Sequence, residues 1–144
     1  MYQVLGLVDD RERMMRTPWT HLACARIRRA MIQMNHTLRL AARPSGMLKD
    51  SDIERRDEAL PETLEPGTIL VETSYLSVDP TQRIWMEHDS YLPAIQIGEV
   101  IRSLGAGRVL RSNAEGFSEG DSVSGLLGWQ THAVVSTRNG GITK

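Results

Sequence analysis

Tyr75-Leu76-Ser77-Val78-Asp79-Pro80-Thr81-Gln82-Arg83 is the stretch on which the reading of this chain turns. The residues before it, Ile69-Leu70-Val71-Glu72-Thr73-Ser74, are largely apolar and β-branched and follow Pro66-Gly67, the pattern of a β-strand. Pro80 fixes its own φ and pushes Asp79 out of the helical region, so the strand runs into a polar corner. Thr81 to Glu87 fits one short helical turn after the proline, with Trp85 and Met86 packing it down. Polar side chains held at a strand end suit the rim of a ligand site. Taken alone, the nonapeptide reads first as a plain strand–turn–helix corner.

Working outward, Thr37 to Ala42 predicts a strand closed by the turn Arg43-Pro44-Ser45-Gly46. Asp50 to Leu60 has little to bury, and predicts an irregular extended segment joining a sheet edge, its acidic side chains on a solvated face. On the other side, Tyr91-Leu92-Pro93 predicts a loop with one aromatic anchor. Ile95 to Val100 and Arg108-Val109-Leu110, separated by Gly105-Ala106-Gly107, predict two strand segments with a bend. Ser122-Val123-Ser124 alternates. Trp129 to Val135 predicts a final strand with Gln130, His132 and Val134 opposite Thr131, Ala133 and Val135. Many short strands, close turns and twelve glycines favour a mainly β fold, a curled β-barrel with short helical segments.

The totals narrow the function classes. A chain of 144 residues, 40% hydrophobic and 24% charged, is sized for one ordinary soluble domain. A net charge of -1 argues against nucleic acid as a partner. Cys24 stands alone, so neither an internal disulfide nor a Cys-rich zinc knot is expected. No apolar run approaches the length of a membrane span, and no signal-peptide pattern follows Met1, which makes cytoplasmic the default location. Residues 1–34 carry a balance of +3 against -4 for the remainder, which places a compositional boundary near residue 34. Residues 1–33 read as an N-terminal extension. Its Arg-rich segment from His21 to Met34 is open to several readings: a peripheral helix, loose chain, a membrane-surface or targeting helix, or residues upstream of a true start at Met31 or Met34.

Chemistry-bearing motifs are few. His21, His36, His88 and His132 are far apart and HExxH is absent, so no metal site is expected. Gly105-Ala106-Gly107 lacks the strand–GxGxxG–helix context of a dinucleotide loop, and GxxxxGK[ST] does not occur. Trp85 and Trp129 are candidates to line a hydrophobic cavity. His132 reads either as a residue near that cavity or as a packed strand residue.

Several segments together resemble one family. Asn35 to Gly46 (NHTLRLAARPSG), Pro66 to Val71, the corner YLSVDPTQR at 75–83, IGEV at 97–100, and FSEGDSVSGLLGWQ at 117–130 are similar, in order, to the zinc-independent medium-chain NADP-dependent reductases. These are the prostaglandin, leukotriene, curcumin and alkenal double-bond reductases. The resemblance implies a GroES-like, curled and partly open β-barrel over residues 34–144. It implies hydride transfer to the β-carbon of an α,β-unsaturated ketone or aldehyde, with NADP as cofactor and no zinc. The nucleotide-binding Rossmann domain of that family is absent from these 144 residues. The expectation is therefore a truncated, substrate-side domain, inactive by itself, that uses NADP only if the second domain is supplied. Tyr75, Ser77, Tyr91 and Trp129 are the implied substrate-pocket residues. Asp79, Thr81 and Arg83 are implied on the cofactor side, with Arg83 either holding the corner through Asp79 or a backbone carbonyl, or facing the cofactor. Thr81 stands where many relatives carry Tyr, and His132 where an aromatic is frequent. The competing reading is a non-enzymatic β-barrel that binds a small apolar ligand or a protein partner. Apolar surface that a Rossmann domain would cover leaves self-association open.

Overall fold

Strand Thr68–Leu76, here β3, is the spine of the larger sheet. The computed structural model of the chain describes residues 34–138 and 141–144. Ile69, Leu70 and Val71 are all but inaccessible, each contributing about 1.5–3 kcal/mol by leaving water. Met34–Leu40 (β1) and Ile53–Ala59 (β2) precede β3, and helix α1, Thr81–Glu87, follows it. Leu104–Asn113 (β4), Ser122–Leu126 (β5), His132–Ser136 (β6) and Ile142–Thr143 (β7) complete the order. All pairings are antiparallel. The larger sheet runs β6-β3-β4-β5-β7, and β1 pairs with β2.

Two irregularities curl β3 against β4. Leu110 is an extra residue on β4 between the pairs Leu70↔Arg111 and Val71↔Val109, and Ser74 is an extra residue on β3 between Thr73↔Gly107 and Tyr75↔Ala106. The strands approach so closely here that a Cβ on Gly107 would collide with the Glu72 carbonyl. The second bulge resets the alternation and re-aims Tyr75 and Leu76. β1 is then sewn to the end of the larger sheet. Leu38 N donates to the Trp129 carbonyl at 2.8 Å, Thr131 N to the His36 carbonyl at 3.0 Å, and Ile101 N to the Leu38 carbonyl at 3.0 Å. The result is the mainly β, curled half-barrel that the sequence predicts. One core cluster lies within the larger sheet around Ile69, Val71, Val109 and Leu127, and a second joins Leu40 to Trp85, Met86, Ile95 and Ile101.

Some local expectations need correction. Residues 53–59 form a regular strand, not an irregular segment. Its charges are matched across the ladder: His36 stands opposite Asp57, and Arg39 reaches Glu58 at 2.7 Å. Buried Asp52 starts that strand by accepting from Lys49 N at 2.9 Å while its carbonyl accepts from Ala41 N. Residues 95–100 are not a strand. Ile95 is buried in a loop, and the segment meets β1 at the isolated bridge Arg39↔Val100 and through Gly98 N, which donates to the Leu40 carbonyl at 2.7 Å. Trp85 lies in the second core and lines neither of the two hollows beside the end of β3. Strand β7 was not expected. The expected N-terminal helix and Cys24 lie outside the described residues.

Candidate functional site

The face of β1 and β2 that carries Leu38 also carries His36 and Arg55, because alternate residues and their direct partners share a face. At one end this face joins the second core through Leu38, Leu40 and Ile53. At the other it opens on a cavity of about 550 Å³. Another wall is the end of β3 around its second bulge, Thr73 to Leu76, and then Val78. Trp129, Gln130 and Thr131 close the side between them.

Local geometry explains how these residues are held. Gly128 adopts φ of 74°, a conformation that favours glycine, and turns the chain into Trp129. Trp129 packs partly on the second core while also lining the cavity. Gln130 Nε2 donates to the Leu127 carbonyl at 2.6 Å, and Asn35 Nδ2 donates to Gln130 Oε1 at 2.9 Å. Asn35 Oδ1 accepts from His132 N at 2.9 Å. His36 N donates to Thr131 Oγ1 at 2.9 Å. The polar floor is therefore pinned from both strands. Thr73 Oγ1 and Trp129 Nε1 are buried in this region without a partner among the described residues, an arrangement that costs free energy until a ligand or water satisfies it.

Two titrating groups sit beside the cavity. Asp57 Oδ1 lies 2.6 Å from His36 Nδ1 and 3.8 Å from Arg55 Nε. The hydrogen bond from His36, aided by the nearby positive charges of His36 and Arg55, holds the Asp57 carboxyl below its ordinary range. His132, next to the cavity residue Thr131, is pushed down from its ordinary value. Burial is the main cause; the Glu72 carboxylate opposes it and the charge of His36 reinforces it.

The expected site residues separate into groups. Tyr75 and Trp129 come together on the main cavity. Ser77 lies outside it, in an adjoining shallow hollow with Tyr75, Leu76 and Leu104 to Ala106. The Ser77 carbonyl accepts from Ser103 Oγ at 2.6 Å and Gln82 Nε2 at 2.8 Å. Asp79 Oδ1 accepts from Thr81 N at 2.8 Å. The Thr81 hydroxyl and then its backbone N–H favour the ionised Asp79 carboxylate and lower its pKa. Arg83 does not pair with Asp79. Its guanidinium donates to the carbonyls of Gly46 at 2.8 Å and Pro44 at 3.2 Å and pairs with Glu87 at 3.0 Å. Tyr91 does not line the main cavity; it stacks edge-on against Trp85 with ring centres 5.9 Å apart. The expectations missed His36, Arg55, Thr73, Gln130 and Thr131 as lining residues. The alternation His36-Thr37-Leu38 carried part of that signal, but it needed the register with β2. Among the described residues, no group of three or more His, Cys, Asp or Glu is placed to hold a metal ion.

Comparison with known proteins gives a consistent picture. A family described as the N-terminal domain of oxidoreductase matches residues 36–142. The chain is 45% identical over 80 residues to the uncharacterized membrane protein YML131W of Saccharomyces cerevisiae, covering 54% of this chain and 22% of that protein. It is 36% identical over 107 residues to the NADPH-dependent curcumin reductase of Escherichia coli, covering 72% of this chain and 30% of that protein. The crystal structure of CurA from Vibrio vulnificus superposes with a TM-score of 0.66 at 31% identity, over 70% of this chain and 30% of that one. The chain thus spans less than a third of the length of these relatives. Among the described residues, no helix is long and apolar enough to cross a membrane.

Proposed function

This chain belongs to the family of N-terminal domains of oxidoreductases, and on that premise we propose that it forms the substrate-side wall of an NADP-dependent reductase of α,β-unsaturated ketones or aldehydes. The observation that carries the reading is the apolar cavity of about 550 Å³ lined by Trp129 and Tyr75. Leu38, Leu76, Val78 and the Trp129 ring take the hydrocarbon part of the substrate. The exposed Tyr75 hydroxyl supplies a donor to the carbonyl oxygen, polarising the conjugated double bond. The domain is residues 34–144, with residues 1–33 an extension.

The cofactor supplies the hydride, and the described residues do not make a cradle for it. Their one α-helix, α1, has seven residues and follows an Asp-Pro corner, not a glycine loop. A nucleotide-binding domain must bring it, and this chain by itself performs no turnover. The corner Ser77 to Pro80 is left exposed for contact on the cofactor side, with Asp79 at its surface, Thr81 half-buried beside it, and Arg83 holding it to residues 44–46. No zinc takes part, and the setting is cytoplasmic.

Tryptophan fluorescence tests the reading. A conjugated enone such as curcumin quenches the wild-type chain saturably, and Trp129→Phe removes most of the saturable component. A chain that shows no saturable quench, or the same quench after the substitution, contradicts the proposed pocket.

A further inference from the structure

His36 and Asp57 are directly opposite each other on β1 and β2 and share the face that borders the cavity. The His36 backbone is fixed on its other side, where its N–H donates to Thr131 Oγ1 and its carbonyl accepts from Thr131 N. Asp57 Oδ1 accepts a hydrogen bond from His36 Nδ1–H at 2.6 Å. That leaves Nε2 as the ring nitrogen with no partner among the described residues, in a side chain that lines the cavity. Among the described residues, Asp57 is otherwise met only by Arg55, at 3.8 Å.

We infer that the His36–Asp57 pair is an oxyanion-binding group of this cavity, which in its imidazolium form donates Nε2–H to an anionic oxygen on a conjugated apolar skeleton. The inference rests on the proposed pocket and specifies its ligand: the electron-rich oxygen of an enolate. Asp57 fixes the ring through Nδ1, and the Nε2–H donor binds the oxygen more strongly as it becomes negative. No bond to carbon or hydrogen need break for this effect. The other charged or titratable groups near His36 are Arg55 from β2, which shares its face, and His132 from β6. Arg55 adds positive charge on the same face, while Glu72 stands opposite His132. Arg39 and Glu58, paired with each other, project from the opposite face of the β1–β2 sheet.

A phenolate stands in for the enolate. The whole chain is titrated with 4-nitrophenol, and the ionisation of the bound probe is read from its phenolate absorbance. Competition with the enone places the probe in the cavity. The expected result is a midpoint lowered by about one pH unit on binding, a preference of about tenfold for the anion. His36→Gln abolishes the shift and Asp57→Asn reduces it, with folding of each verified by circular dichroism. If His36→Gln does not fold, the wild-type shift and its reduction in Asp57→Asn decide the question. An unshifted midpoint, failure of the probe to bind a chain that still binds enone, or a full shift retained in either folded variant overturns the inference. The enone quench of Trp129 is read in parallel; its absence in the wild type overturns the pocket itself, and so separates the two failures.

Discussion

Tyr75 and Arg83 belong to one corner of sequence, yet the fold assigns them opposite work. The bulge at Ser74 turns Tyr75 outward, where it is 77% exposed at the cavity. Arg83 points inward, and one of its guanidinium nitrogens, Nη2, meets two carbonyls and Glu87, while Nη1 is buried without a partner among the described residues. Tyr75→Phe keeps the ring and removes one donor. It weakens enone binding about two- to tenfold and leaves binding of a saturated hydrocarbon of the same size unchanged, as isothermal calorimetry would show. Equal losses for both ligands would mean that the ring, not the hydroxyl, makes the contact. Such roles were only partly legible. The side-chain types at 75–83 suggested a site rim, but the direction of each depends on one inserted residue, which sequence periodicity does not display.

At the scale of elements, α1 and the turn at 43–46 act as one unit because Arg83 ties them together. Arg83→Ala lowers stability by about 1 kcal/mol, chiefly through the contact to buried Pro44, whose carbonyl is left without a donor. Urea unfolding measures this, and an unchanged midpoint would show that the hydrogen bonds contribute nothing. The spine β3, helix α1 and strand β6 were readable in the sequence, since each carries its own signal: an apolar β-branched run, an Asp-Pro start, an alternation. Strand β2 was hidden because Ile-Glu-Arg-Arg-Asp-Glu-Ala is charged on both faces and gains its order from β1 across the ladder. Residues 95–100 misled for the opposite reason. Their apolar side chains include buried Ala94's neighbour Ile95 in the second core, and burial there needs no strand. Strand β7 is two residues long, and only its register with Ser124 and Gly125 defines it.

For the molecule as a whole, pH reports on the seam where β1 meets the end of the larger sheet. Burial lowers the His132 pKa in the folded chain, so the unfolded chain binds its proton first as pH falls. This contribution to stability is complete above about pH 6.5 and is lost as pH drops below it, toward the folded value. Asp57, Asp79 and Asp121 are lowered as well, and their contributions are lost in a separate window, below about pH 4. Unfolding midpoints measured between pH 7.5 and 5 should therefore fall, with a shallower fall in His132→Gln; parallel curves would exclude His132 as the source. The half-barrel and its family were legible because five separated segments occur in the family's order. The cavity was less so, since its walls come from residues nearly a hundred positions apart, as the bonds from Asn35 to Gln130 and His132 illustrate.

On the proposed function, this domain presents a conjugated carbonyl substrate to a nicotinamide brought by another domain. A chimera in which residues 34–142 replace the corresponding N-terminal segment of Vibrio vulnificus CurA tests this by NADPH oxidation. Enone-dependent oxidation is expected from the chimera and none from the 144-residue chain. A chimera that folds and binds NADPH but oxidises none when enone is added would contradict it.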